Sequence, residues 1–120
     1  MPFRGPLERA VARASGALGI VFVADDGETI DQYTIGDLYD IRLAGAHNGI
    51  VLQMVQRSLK NVSANGDMLR EISITSEKHI FTLLPVQEGN FLVLVQDRTG
   101  VRSQGVMVLR AAVEEITALI

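Results

Sequence analysis

The stretch from Asp37 to Val62, DLYDIRLAGAHNGIVLQMVQRSLKNV, constrains this chain more than any other. It contains no proline. As a helix rising about 1.5 Å per residue it would span roughly 38 Å, long for a small chain. Placed about 100° apart on a helical wheel, its apolar residues form two stripes. One holds Leu38, Ile41, Gly45, Leu52, Val55 and Leu59, with Val51 and Val62 at its margin. The other, roughly opposite, holds Leu43, Ala46, Ile50 and Met54. Arg42, Gln53, Gln56 and Lys60 separate them on one flank, Asp40 and Ser58 on the other. A helix on the outside of a monomer needs a single apolar stripe; the second needs a cover of its own. In a chain this short, the simplest cover is the same helix from a second copy. The feature points to assembly before chemistry.

The totals agree. At 120 residues, with 48% hydrophobic and 21% charged, the chain has the size and composition of one soluble domain with a real core. A formal net charge of −3 and the lack of any Lys/Arg run exclude the electrostatic footprint of a nucleic-acid binder. The absence of cysteine excludes disulfides and thiolate zinc sites and fits a reducing compartment. MPFRGPLERA has no apolar core of signal-peptide length, and no segment approaches the ~18 apolar residues of a membrane span. A cytoplasmic protein without membrane insertion is expected.

Along the chain, Pro6 suits the first turn of a helix carrying Leu7, Ala10, Val11 and Ala14, with Gly16 as its C-terminal cap. Ala17 to Ala24 is apolar on both alternations, as a strand covered on both faces would be. Asp25-Asp26-Gly27-Glu28 is a turn into a more polar strand, Thr29 to Thr34, expected near an edge. After the long helix, Ser63 to Asp67 reads as a turn. Met68 to Ser76 then alternates, with Arg70, Ile72 and Ile74 on one face, so it is predicted to be a half-exposed strand near the other edge. His79 to Val86 is a strand with Pro85 near its end, and Phe91 to Val95 is the most uniformly apolar and the expected centre. Val106, Leu109, Ala112, Val113, Ile116 and Ile120 recur at three and four, predicting a closing amphipathic helix. Hairpin-sized gaps make the strand pairings antiparallel, and doubly buried strands call for helices on both faces of one sheet.

This order, with ALGIVFVADDGETI and its Asp-Gly turn, the long second helix, FLVLVQDRTGVRSQGVMVLR and the closing helix, resembles the Roadblock / dynein light-chain family, in its bacterial MglB-like branch. The resemblance covers nearly the whole chain, as one Roadblock-like domain over residues 1–120. It implies an α-β-β-α-β-β-β-α sandwich: a five-stranded antiparallel sheet with the long helix on one face and the terminal helices on the other. It further implies a homodimer joined edge to edge through the third strand. Leu43, Ala46, Ile50 and Met54 of the second stripe, with Arg70, Ile72 and Ile74 of that strand, would then form the interface. The sequence stops at Ile120, directly after the last helix, so a contact made by a C-terminal tail is not expected.

No pattern carries chemistry. Asp25, Asp26, Glu28 and Asp31 lack the regular ligand spacing of a calcium loop and read as a solvated hairpin turn. His47 and His79 lie far apart, and no nucleophile elbow or phosphate-cradling glycine loop is present. Arg98 and Arg102 flank a polar loop where a catalytic arginine finger would be conceivable, yet any surface arginine fits the same pattern. Gly45, on the core-facing stripe, is expected to permit close packing of helix on sheet. No catalytic residue, cofactor or metal site is assigned. The resemblance implies a non-enzymatic module that binds and regulates a small Ras-like GTPase, with Gln53, Gln56, Arg57 and Lys60 as exposed contacts. A structural scaffold of dynein-light-chain type, indifferent to nucleotide state, is the alternative.

Overall fold

A computed structural model describes residues 2–62 and 66–120. Of the turn expected over Ser63 to Asp67, residues 63–65 lie outside the described residues, as does the side chain of Leu38. The elements are α1 (Arg4–Arg13), β1 (Ala17–Val23), β2 (Thr29–Thr34), α2 (Leu38–Val62), β3 (Ile72–Thr75), β4 (His79–Pro85), β5 (Phe91–Asp97) and α3 (Arg102–Leu119). The strands form one antiparallel sheet in the order β2-β1-β5-β4-β3, with β5 in the middle and the polar β2 and mixed β3 at the edges.

Alternation along the buried strands splits the core into two layers. Ile20 and Phe22 of β1, Leu92 and Leu94 of β5, and Leu84 of β4 meet Leu7, Ala10 and Val11 of α1 and Leu109, Ala112 and Ile116 of α3. Val21, Val23, Phe91, Val93, Val95 and Leu83 meet Ile41 and Leu52 of α2 on the opposite face. Both core-facing glycines of α2 are packing devices. A Cβ on Gly45 would stand 3.2 Å from Val21 and Val23 side-chain atoms, and one on Gly49 would stand 3.0 Å from the Phe91 ring. A helix passing so close to a sheet admits a side chain there only if Val21, Val23 or Phe91 gives way by a few tenths of an ångström.

Several expectations need correction. The third strand runs only over Ile72–Thr75, not Met68 to Ser76. Its register with β4 pairs Ile72 with Leu83 and Ile74 with Phe81, so Arg70 would fall opposite Pro85. Ser76 donates its N–H to the His79 carbonyl at 2.9 Å, which makes Ile74, Ile72 and then Arg70 the residues bonded to β4. Pro85 has no N–H to give, and the ladder stops. The first helix begins at Arg4, which leaves Pro6 in its first turn as expected, but its C-cap is Ala14, so Gly16 lies beyond it with a φ of +67°. The last helix begins at Arg102, one turn before the first apolar repeat at Val106. Asp31 is not part of a solvated turn: it is buried in β2 and paired with Arg4.

A polar knot joins the ends of β1, β5 and α3. Gln96, fully buried, donates its amide to the carbonyls of Ser15 at 2.9 Å and Val101 at 3.2 Å. Ser15 in turn accepts from the Val101 N–H at 3.0 Å. Two connections that would otherwise bury free carbonyls are satisfied by one side chain.

Candidate interaction surfaces

The second stripe of α2 lies on the side of the helix away from the sheet. Leu43 and Ala46 are exposed there, and Ile50 and Met54 are 59% and 63% exposed. Tyr39, four residues before Leu43 and 71% exposed, extends the stripe by one turn. Ile35, also exposed, stands just ahead of the helix. These two escaped the sequence reading, although the spacing of four between Tyr39 and Leu43 was available to show the first. Five large apolar side chains on and beside one helix are more than scattered surface hydrophobics require.

The flanks of α2 differ. Arg42 Nε donates to Gln32 Oε1 at 2.9 Å, and Gln53 Nε2 donates to the Asp25 carbonyl at 3.0 Å. That flank therefore looks toward β2 and the β1–β2 turn. Of the four contacts expected for a partner, Gln53 is thus already engaged within the chain. Gln56 is half-buried beside Leu59 and the β4–β5 turn, and Arg57 and Lys60 stand exposed. On the other flank Asp40 and Ala44 share a cleft of about 250 Å³ with His79 and Phe81 of β4 and Val95 of β5.

Beyond that cleft lies β3. Ile72 and Ile74 are half-buried on the α2 side, next to Phe81, while Arg70 is exposed on the segment before the strand. Since the backbone groups of Ile72 and Ile74 face β4, those of Ser73 and Thr75 face outward, along an edge with no neighbouring strand among the described residues. The expected interface residues therefore fall in two patches, an apolar stripe on the outer face of α2 and the outer edge of β3, with β4 and the cleft between them.

The other candidates resolve into structure. Arg98 donates to the Ser76 carbonyl at 2.8 Å and so fastens the β3–β4 turn. Thr99 donates to the Asp97 carboxylate through both its hydroxyl and its N–H, and these bonds, the hydroxyl foremost, hold the Asp97 carboxyl below its ordinary range. His47 is exposed on α2, at the border of the stripe. Among the described residues, no helix is long and apolar enough to cross a membrane.

Neither a protein-family model nor a curated protein matches the chain. Solved structures do. MglC from Myxococcus xanthus is similar over the full length of both chains, with 27% identity and a TM-score of 0.75. A Roadblock/LC7 domain from Streptomyces avermitilis shares 14% identity over 96% of this chain and 94% of its own, with a TM-score of 0.81. MglB from Myxococcus xanthus shares 13% over 98% of this chain and 93% of its own, with a TM-score of 0.84. Those two likenesses speak to the fold; the first adds sequence identity from end to end. By its fold and element order the chain is built like the Roadblock/LC7 domain and MglB, and over its full length it is similar to MglC.

Proposed function

We propose that this protein is a non-enzymatic homodimeric module that binds a small Ras-like GTPase and regulates its nucleotide cycle in the cytoplasm. The observation that carries the reading is the long helix α2, with one apolar face on the sheet and a second in solvent beside an unpaired strand edge. The likeness to MglC and MglB supports it, and one similar MglB structure has a tetrameric arrangement. Two copies joined at β3 would bury Ile72 and Ile74 and bring Arg70 into reach of the neighbour. Both α2 helices would then lie on one side of a continuous sheet, with Leu43, Ala46, Ile50 and Met54 contributing to the contact between copies. Because that stripe faces away from the sheet, pairing at β3 leaves part of it open. That remainder, with Gln53, Gln56, Arg57 and Lys60 at its flank, is the surface assigned to the GTPase. Recognition would be by shape, with no residue inserted into the nucleotide site.

The test is capture from native lysate on the tagged protein, run in parallel with GDP and with a non-hydrolysable GTP analogue. A small GTPase retained mainly with the analogue supports a nucleotide-sensing regulator. Identical partners in both arms, or partners without a GTPase, place the protein among scaffolds of dynein-light-chain type.

A further inference from the structure

The two edges of the sheet are built differently, and the difference is chemical. At β3 the outward backbone groups of Ser73 and Thr75 have no strand beside them among the described residues. At β2 the corresponding edge is occupied by the chain's own side chains. Ile35 donates its N–H to the Leu18 carbonyl at 2.9 Å. The register that continues from there, Tyr33 with Ile20 and Asp31 with Phe22, turns the backbone groups of those residues toward β1. Gln32, between them, therefore points its N–H outward, where an incoming strand would bond it. That N–H is already taken: it donates to Asp31 Oδ1 at 2.8 Å.

The same carboxylate oxygen accepts from Arg4 Nη2 at 3.0 Å. Asp31 lies on the α1 side of the sheet, its side chain 3% exposed, and Arg4 reaches it from the start of α1. On the other side of the strand, Arg42 of α2 holds the Gln32 side chain. A bulge between Phe22 and Val23 further breaks the regular spacing toward Thr29. A buried charge pointing inward from an edge strand and a bulge are among the means by which sheets avoid joining other sheets. Burying a carboxylate beside a half-exposed guanidinium contributes little to stability when compared with an apolar pair, so the stability of the fold does not account for it.

We infer that Arg4 and Asp31 form a lock on the β2 edge, which restricts strand addition to the β3 edge and so keeps self-assembly closed. A chain with two open edges can add copies at both ends and grow into a filament; a chain with one open edge stops at a pair. The lock acts through two groups. Asp31 removes the donor that an incoming strand needs, and Arg4, from the start of α1, holds that carboxylate in place. The inference does not depend on the proposed GTPase, nor on whether the unmodified protein is a dimer, because the prediction concerns growth beyond its own mass.

The test replaces the pair by apolar residues of similar bulk in Arg4→Leu/Asp31→Val, with Asp31→Thr as a second variant that keeps Arg4 and a strand-forming side chain. Circular dichroism establishes that each is folded, and light scattering over a concentration series gives its mass. A folded variant should show at least about a twofold higher mass than the unmodified protein at the upper concentrations, rising with concentration. Because the chain has no cysteine, Gln32→Cys reports on the edge itself. A short bis-maleimide should couple two copies through position 32 in the unlocked background and not in the locked one. A folded variant with unchanged mass overturns the inference. So does growth without coupling at position 32, since the added contact would then lie elsewhere.

Discussion

At the scale of single residues, the tightest constraints lie where a side chain and a glycine share one space. A Cβ on Gly105 would stand 2.3 Å from Gln96 Oε1, and Gln96 cannot swing aside without giving up its bonds to the Ser15 and Val101 carbonyls. Gly105→Ala should therefore destabilise the protein by about 1–3 kcal/mol in chemical denaturation, although alanine is the better helix former by about 1 kcal/mol. Gly45→Leu should cost at least as much, because both valines it would meet belong to the core beneath α2. Asp97 gives a pH signature. Its carboxyl is held below its ordinary value by Thr99, so the folded state favours the charged form. That contribution is complete above the unfolded value of about 4 and is lost as pH falls through the lowered one. Thermal melts of the unmodified protein and Asp97→Asn should differ most near neutral pH and converge in acid. A gap that stays constant with pH would show that the charge of Asp97 does not matter.

At the scale of elements, local pattern decided most of the outcome. Continuous apolar runs in β1 and β5 read as doubly covered strands, and both are central; the polar β2 and mixed β3 are at the edges. What the pattern missed had non-local causes. The alternation of Met68 to Ser76 is that of a strand throughout, yet Pro85, on a different strand, removes the donor that Arg70 would need. Asp31 sat in an acidic run that reads as solvated, and only the reach of Arg4 across 27 positions puts it in the interior. The exposed edge makes its own prediction. Ser73 points its N–H away from β4, so Ser73→Pro removes no bond within the protomer and should leave far-ultraviolet circular dichroism unchanged. It should nonetheless abolish pairing through β3. Ile50→Asp tests the neighbouring patch: at 59% exposure in one chain, it should fold normally. A carboxylate buried unpaired between copies would weaken the dimer on the order of several kcal/mol. Unchanged self-association would assign the stripe wholly to another partner.

At the scale of the whole molecule, the sequence disclosed the layers because two periodicities, two and 3.6, mark which faces meet. It also disclosed the surplus apolar face of α2, which is an excess over what one core requires. It did not disclose how the patches sit relative to one another, since that depends on the strand order and on which flank of α2 is tied to β2 by Arg42 and Gln53. The β3 edge and the outer face of α2 are proposed to make this a paired module. Light scattering of the unmodified protein and of Ser73→Pro at micromolar concentration tests it most directly. A paired module gives twice the 13.0 kDa chain mass for the first and the single-chain mass for the second. A single-chain mass for both would contradict it, as would an undiminished dimer in the proline variant.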